Sequence, residues 1–409
     1  MTKRWFGACA TVALFAIAVG AFVLDVGLLS AMTDRLQMND FGKFYYSARA
    51  FLDGTDMYAS NPATTPKFAE APDLQFLNMN PPHFHLLVLP FAALAPGRAV
   101  MLWVALSVAG LVVSLLLIAR EIGVEWTPVR VLATVSGTLI FAGTQSFFVT
   151  GQLSLLLLLA VTLCWIAARR GRWNAAAAWL GGCMSIKPFF LIFLPYLLLT
   201  RRFHAAAVAA GTAVVAVAAG LLTFGFGAYR AWYAALAQSG AWAWTVMNAS
   251  VNGLFQRTFT VQPIATPVVV SPPLARSWII LAALIGIITL VVATRDRSRC
   301  AIDSAFALLL VAAQLVSPLG WIYYLWLPAG PIAALVWNSG STRTLGRSAV
   351  GTAAGIVAAI GFAWPMPLLL AFQPHAWATV VVASIYFWAT LALWAVLVRG
   401  GTLSDTRDI

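Results

Sequence analysis

Asp40 is the first residue with an evident chemical capacity. It precedes an aromatic stretch in which Phe41, Phe44 and Tyr45 would share one face of a helix, with Tyr46 beside them. Such an apolar stripe predicts an amphipathic helix lying along a membrane surface. An aspartate at the start of a helix is commonly an N-cap. A carboxylate at the lipid–water boundary could also be a general base, and spacing alone leaves both roles open.

Lys187 interrupts an apolar run directly before Pro188. A charged side chain in such a run is costly and marks a functional site unless it reaches water by snorkelling. The proline argues against a regular helix, which favours a functional role. An ammonium group near lipid is suited to binding a phosphate.

Further polar and aromatic residues stand at interruptions of apolar sequence. They form the rest of the candidate site: Asn80, Gln152, Asn248, Ser250, Asn252, Arg257, Trp321 and Tyr324. An interfacial aromatic belt would explain the tryptophans but not the amides. His83 and His85 are two residues apart, which on a helix points them to different faces. We therefore predict no metal site at these histidines. We also predict that the protein has no cofactor.

The composition indicates whether water or lipid surrounds these parts of the chain. The chain has 409 residues, 61% of them hydrophobic and only 9% charged, against roughly 25% charged residues in soluble proteins. The net charge of +12 lies in short clusters between apolar runs. That pattern indicates contact with anionic lipid headgroups rather than nucleic acid. The sequence thus predicts an all-α integral membrane protein forming one polytopic domain over residues 1–409.

Apolar runs of about 20 residues predict about 12 transmembrane helices. They lie near 6–29, 83–119, 128–148, 152–168, 174–186, 189–200, 204–226, 276–294, 301–317, 320–337, 346–364 and 376–398. Pro96 divides the second run into a broken or re-entrant piece, 83–95, and a span, 98–119. Runs 174–186 and 189–200 are short, and we read them as a hairpin with Lys187 at its tip.

Lysine and arginine in the loops predict that both termini are cytoplasmic. The inner loops then hold Arg120, Arg130, Arg169, Arg170, Arg172, Arg201, Arg202, Arg295, Arg297, Arg299, Arg343, Arg347, Arg399 and Arg407. Two long segments, 30–82 and 227–275, face outward with their amphipathic helices. The first holds six of the 13 acidic residues: Asp34, Asp40, Asp53, Asp56, Glu70 and Asp73. Since the other candidates gather on the same side, we expect a catalytic loop at 30–82.

These motifs, in this order, resemble glycosyltransferase family 87 over roughly residues 36–330. The pieces that carry the resemblance are Asp40-Phe41 through Tyr58, Asn80-Pro81-Pro82, Gly151-Gln152, Ile186-Lys187-Pro188, and Asn248 and Ser250 with Arg257. The family consists of polyprenyl-phosphate-mannose-dependent alpha-1,2-mannosyltransferases of the GT-C fold.

The resemblance implies an inverting transfer at the outer face of the inner membrane. Asp40 would be the general base, Lys187 and Arg257 would bind the donor phosphate, and the acceptor would be a lipid or a glycan. The tyrosines Tyr45 and Tyr46 and the polar candidates above would bind substrate.

Two departures from the family pattern affect the sugar and the acceptor rather than the base. Ala249 stands where members often have glutamine, and Tyr323 and Tyr324 stand where they often have histidines. Mannose is therefore only the default sugar. A transporter or lipid-linked glycan flippase is the alternative, although we find no paired helix breaks in the two halves. A scaffold subunit of an envelope-assembly complex is a third possibility.

Overall fold

The computed structural model describes residues 2–34, 40–64, 75–262, 266–295, 301–339, 345–364 and 376–402. Several residues named above lie outside these ranges, namely Glu70, Asp73, Arg297, Arg299, Arg343 and Arg407. Within them the chain is almost entirely helical, as predicted. Extended pairing in the described ranges is limited to one antiparallel bridge, between Asn248 and Trp321.

Among the described residues, ten helices lie between Thr2 and Leu236. They are α1 Thr2–Asp34, α2 Asp40–Leu52, α3 Leu89–Ala92, α4 Pro96–Ile122, α5 Pro128–Ile140, α6 Ala142–Thr150, α7 Ser154–Arg169, α8 Trp173–Ile186, α9 Phe193–Leu199 and α10 Phe203–Leu236. The second half adds α11 Val251–Phe259, α12 Pro272–Arg276, α13 Trp278–Arg295, α14 Ala301–Val316, α15 Ala329–Ser339, α16 Leu345–Gly361, α17 Ala376–Val381 and α18 Ile385–Thr402. Short 3-10 turns occupy Pro82–Leu87, Pro188–Ile192, Ser239–Trp242 and Ile322–Trp326.

Five stretches of the described chain are long and apolar enough to cross a membrane. They are Thr11–Ala31, Pro96–Ile122, Phe203–Trp242, Pro272–Arg295 and Ala376–Gly400. A sixth is reached if α5 and α6, which meet at an angle of 52°, count as one span. The chain is therefore a multi-pass membrane protein, but the prediction of about 12 spans is not confirmed.

The difference in span number has a physical cause in how the apolar runs break. The run 83–119 divides into a 3-10 turn, the four-residue α3 and the long α4, as the interruption at Pro96 predicts. Other runs form helices of 16 residues, such as α7 and α14. At 1.5 Å per residue these reach about 24 Å, short of a hydrocarbon core of about 30 Å.

Helix α2 is amphipathic, but its apolar face packs on protein. Phe41 and Phe44 are fully buried, and both contact the Trp103 ring of α4, with centroid distances of 5.2 and 6.2 Å. Phe84 meets Phe44 edge to face at 4.9 Å. The expected contact of this stripe with the membrane surface is thus replaced by the protein core, which fixes α2 and the carboxylate at its start.

An ionic cluster joins α4, α7 and α14 at the end of α7 that lies away from Gln152. The Arg169 side chain pairs with Asp303 of α14 at 3.0 Å and with Glu121 of α4 at 3.2 Å. Trp165 donates its indole N–H to Asp303 at 2.9 Å. Because Asp303 is buried, its charge requires these partners. The cluster therefore sets the positions of these three helices relative to one another.

Candidate functional site

A cavity of about 500 Å³ opens at the start of α7, and several chain breaks meet there. Its walls come from the first turn of α2, the segment before the Pro82–Leu87 turn, the α6–α7 junction, the α8 break and the segment after α14. The polar and aromatic lining residues are Asp40, Lys43, Phe76, Asn80, Thr150, Gln152, Lys187, Phe189, Trp242, Ser317, Trp321, Tyr323 and Tyr324. Six of the twelve predicted site residues are among them: Asp40, Asn80, Gln152, Lys187, Trp321 and Tyr324.

Asp40 is the carboxylate of this cavity, and both of its oxygens have partners. Oδ1 lies 2.5 Å from the Lys43 ammonium group, one turn along α2. Oδ2 accepts a hydrogen bond of 2.7 Å from Nε2 of Gln152. These partners are side chains rather than the backbone amides that an N-cap would bind. The carboxylate is therefore held in the cavity wall by one ammonium group and one side-chain amide.

The α6–α7 junction places Gln152. Helix α6 ends at Gly151, whose φ of 63° is in the left-handed region that glycine adopts without a steric penalty. The Gly151 carbonyl accepts from the Trp103 indole at 2.7 Å. Gln152 fixes its own amide by accepting from the Leu153 N–H at 2.9 Å and donating to the Tyr323 hydroxyl at 3.2 Å. The orientation of the Gln152 side chain toward Asp40 is thus fixed by the turn at Gly151 and by its contacts with Leu153 and Tyr323.

Lys187 lies at the break between α8 and the Pro188–Ile192 turn, where the interrupted run was predicted. Its ammonium group donates to the Asn80 side-chain oxygen at 2.7 Å and lies 5.6 Å from the centre of the Tyr324 ring. Burial lowers the pKa of Lys187 to about 8, opposed by the negative charge of Asp40. The residue is partly exposed and lines the cavity.

Asn80 connects Lys187 to a buried polar network. Its amide donates to the Asn78 side-chain oxygen at 3.0 Å, and its backbone carbonyl accepts from the Tyr58 hydroxyl at 2.6 Å. The Asn78 amide in turn contacts Ser47 at 2.9 Å and Nε2 of His85 at 2.7 Å. His85 is thus a member of this network, which holds Asn80 in place against Lys187.

Lys43 is a charged residue of the cavity that was not among the predicted site residues. Its side chain is 8% exposed, and its ammonium group lies 3.7 Å above the centre of the Phe76 ring. Desolvation lowers the pKa of Lys43, while the adjacent Asp40 charge raises it. The available signal was the spacing of three residues between opposite charges, which places both on one side of a helix.

The segment after α14 provides an aromatic wall. Trp321 and Tyr323 stack with ring centres 6.2 Å apart, and Tyr324 packs on Phe189 at 5.1 Å. The Tyr324 hydroxyl is buried and has no hydrogen-bond partner among the described residues. Rings of this kind can pack on the apolar faces of a sugar or on a prenyl chain.

The amides and hydroxyl before and within α11 hold this wall but do not line the cavity. The Asn248 and Asn252 side chains donate to the Pro318 carbonyl at 3.1 and 3.0 Å. Asn248 also accepts from the Gly320 N–H at 2.9 Å, and Ser250 caps α11 by accepting from the Gly253 N–H at 3.1 Å. Their contacts satisfy backbone groups freed where the chain breaks.

Arg257 is also outside the cavity. It is 1% exposed and donates to the carbonyls of Thr245 and Asn248 at 2.6 and 3.1 Å and to the Ser384 hydroxyl at 3.0 Å. Burial lowers the pKa of Arg257, while the carbonyl acceptors favour its charged form. These contacts tie α11 to the segment before it and to the residue before α18. The structure thus does not bring Arg257 to the position expected of a phosphate ligand.

The predicted tyrosines of α2 lie behind the cavity wall. The Tyr45 hydroxyl donates to the Leu94 carbonyl at 2.8 Å, and Tyr46 packs edge to face on Tyr45 at 5.2 Å. His83 contacts the Ser185 carbonyl at 2.9 Å and the Tyr229 hydroxyl at 3.1 Å. All three side chains therefore support the elements around the cavity.

The fold and the cavity define a multi-pass membrane protein with a charged site beneath an aromatic wall. The model of Glycosyltransferase family 87 matches residues 78–318. This match covers more than half of the chain, so the protein belongs to glycosyltransferase family 87 and is a transferase. Searches of curated proteins and of solved structures gave no match.

The matched segment contains Asn80, Gln152, Lys187 and the α11 residues, whereas Asp40 and Trp321 lie beyond its two ends. Family membership decides for an enzyme over the transporter and scaffold alternatives. The assignment of roles to Asp40 and Lys43 rests on the geometry of the cavity.

Proposed function

We propose that this glycosyltransferase moves a sugar, mannose by default, from a polyprenyl-phosphate donor to a hydroxyl group of a lipid or glycan acceptor. The observation that carries the proposal is the cavity that combines a fixed carboxylate, Asp40, with two ammonium groups, Lys43 and Lys187. A base and a phosphate site within one cavity are what such a transfer requires.

Asp40 acts as the general base. It takes the proton of the acceptor hydroxyl while that oxygen attacks the anomeric carbon of the donor sugar. The bond from that carbon to the phosphate oxygen breaks, and its electron pair leaves with the polyprenyl phosphate. One displacement of this kind inverts the anomeric centre. Gln152 supports this role by holding Oδ2 at 2.7 Å.

Lys187 binds the donor phosphate. The leaving group carries its new charge on phosphate oxygens, so a cation placed beforehand stabilises the transition state more than the bound donor. Asn80 directs the ammonium group through a hydrogen bond of 2.7 Å. Arg257 is not included in this site, because it does not line the cavity and its Nη1 and Nε donors are engaged by the carbonyls of Thr245 and Asn248 and by the Ser384 hydroxyl.

The aromatic wall binds the sugar and the start of the prenyl chain. Trp321 supplies a ring face at the cavity surface, and the unpartnered hydroxyl of Tyr324 can take a hydrogen bond from the substrate, since a buried polar group gains by being paired. Tyr323 holds Gln152 and stands where histidines are common in the family. A sugar other than mannose is therefore compatible with this wall.

The site faces the side of the inner membrane opposite to the cytoplasm, and both termini are cytoplasmic. The basic residues of the loops support this orientation. The ionic cluster of Arg169 and Arg170 agrees with it, since it lies at the end of α7 away from Gln152. Outer segments 30–82 and 227–275 contribute Asp40 and Trp242 to the cavity.

The test is transfer of radiolabelled mannose from synthetic polyprenyl-phosphate mannose to membrane extracts that contain the protein. Label in a lipid or glycan fraction, present with the wild-type chain and absent with Asp40→Asn, is the expected result. Transfer at equal rates by both proteins would remove Asp40 as the base. No transfer by either would refute mannose as the sugar, and a panel of other polyprenyl-phosphate sugars would then test the donor class.

A further inference from the structure

Lys43 occupies a position that a simple base would not need. Its ammonium group lies 2.5 Å from Oδ1 of Asp40, where an approaching acceptor hydroxyl would have to compete with it. Because Gln152 donates to the other oxygen, neither oxygen of Asp40 is free for the acceptor hydroxyl while Lys43 is in place. The ion pair between Lys43 and Asp40 therefore suits the enzyme without substrates better than the enzyme during sugar transfer.

The two partners of Asp40 differ in how firmly they are fixed. Gln152 is held by the Leu153 N–H and the Tyr323 hydroxyl in addition to Asp40. Lys43 has Asp40 as its ion-pair partner in the described part of the chain, and beyond that it rests on the Phe76 ring. Its flexible four-carbon stem can turn without breaking another hydrogen bond. Of the two partners of Asp40, Lys43 is thus the one that can move away from the carboxylate.

A phosphate bound in the cavity would give the Lys43 ammonium group an alternative partner to Asp40. Lys43 and Lys187 both line this one cavity, and their charges interact, since Lys43 lowers the pKa of Lys187. A phosphate that meets Lys187 would therefore lie within the field of Lys43 as well. Phosphate oxygens and a carboxylate would then compete for the same ammonium group.

We propose that Lys43 is a second donor-phosphate ligand that exchanges its Asp40 partner for the phosphate when the donor binds. The exchange frees Oδ1 for the acceptor hydroxyl only once the donor is in place, so the base is released in the loaded enzyme. Before that, Lys43 is a positioning residue for Asp40. The inference rests on the proposed function but concerns binding, so it can be measured without turnover.

The experiment is equilibrium binding of a short-chain polyprenyl phosphate to purified protein in detergent, followed by tryptophan fluorescence. Lys43→Met should weaken binding by about tenfold or more, since a charge-assisted hydrogen bond is lost. Lys43→Arg should retain most of the affinity. Arg49→Met removes a cation of the same helix that pairs with Asp53 outside the cavity, and it should bind like the wild type.

The exchange itself is tested by a double-mutant cycle. Asp40→Asn should tighten phosphate binding, because Lys43 is freed from its partner. In the Lys43→Met background the same change should give a much smaller gain, because the cation to be freed is absent. Thermal melting shows whether each variant is folded, and Lys43→Gln replaces Lys43→Met if the latter is not.

Equal binding by the wild type and a folded Lys43 variant would overturn the proposal. So would a gain from Asp40→Asn that is unchanged without Lys43, since repulsion between carboxylate and phosphate alone would explain it. These outcomes are separate from failure of the proposed function. That failure would appear as no transfer by the wild type from any polyprenyl-phosphate sugar.

Discussion

Replacing Asp40 by asparagine removes the proposed base while keeping its shape. The amide oxygen can still accept from Gln152, which donates to Oδ2 in the native protein. What is lost is the proton acceptor, and a positioned general base contributes about 10²–10⁴ in rate. We therefore expect the initial rate of sugar transfer to fall by about that factor.

The variant also changes stability, and the structure shows how to separate the two effects. Lys43 is 8% exposed and loses its charged partner, and removing one member of a buried pair costs about 3–5 kcal/mol. The double variant Asp40→Asn/Lys43→Met leaves no unpaired charge at this pair and serves as the stability control.

A matched control lies in the same region of the chain. Asp53 pairs with Arg49 at 3.1 Å, and their side chains are 51% and 48% exposed. Such exposed pairs contribute little to stability and this one lies outside the cavity, so Asp53→Asn should leave transfer unchanged. Rates are compared at equal amounts of folded protein, measured by size-exclusion chromatography in detergent. An Asp40→Asn rate within tenfold of wild type would refute the role of Asp40 as base.

Three further results are expected. Lys187→Ala should raise the donor KM by about tenfold or more, because a charge-assisted hydrogen bond to phosphate is lost; an unchanged KM in steady-state kinetics would exclude Lys187 from the phosphate site. In the wild type the donor KM should rise as the pH increases through about 8, because burial lowers the pKa of Lys187 to about 8 and the neutral amine no longer pairs with phosphate. Lys187→Arg should abolish this rise, and a rise of the same size in that variant would show that another group causes it. Arg257→Met should lower the Tm in detergent while the donor KM stays near the wild-type value, since its guanidinium serves carbonyl groups; a large KM effect at unchanged Tm would instead place Arg257 at the phosphate.

The sequence identified the cavity residues that interrupt apolar runs. Lys187 was found because a lysine before a proline is costly in a membrane-embedded run, and the structure places it at the cavity. Lys43 escaped notice because it stands in a mixed polar and aromatic helix, where a charge is unremarkable. Its importance comes from the burial of α2 in the protein core, which residue spacing does not reveal.

The α11 residues show the limit of reading polar groups in apolar surroundings. Asn248 and Asn252 have the composition of a substrate site, yet they bind the Pro318 carbonyl. A backbone that breaks inside a membrane protein frees carbonyls that need donors. Sequence alone does not separate an amide that binds substrate from one that satisfies such a break, because both are polar residues near an interruption of apolar sequence.

The number of spans was the least predictable part of the fold. Hydropathy measures how apolar a run is, and it does not tell whether lipid or protein surrounds it. Helix α7 is apolar over 16 residues and mostly buried, so its hydrophobicity serves packing against neighbouring helices. Short buried helices of this kind therefore increase the number of membrane spans that is predicted from apolar runs.

Helix α7 is anchored at both ends, and this makes its length a constraint on evolution and design. It begins two residues after Gln152 and ends with Arg169 in the ionic cluster with Asp303. Inserting or deleting one residue would rotate one end by about 100° relative to the other, at 3.6 residues per turn. Either Gln152 would leave Asp40 or Arg169 would leave Asp303. Working enzymes of this type should therefore tolerate substitutions along α7 far better than any change in its number of residues.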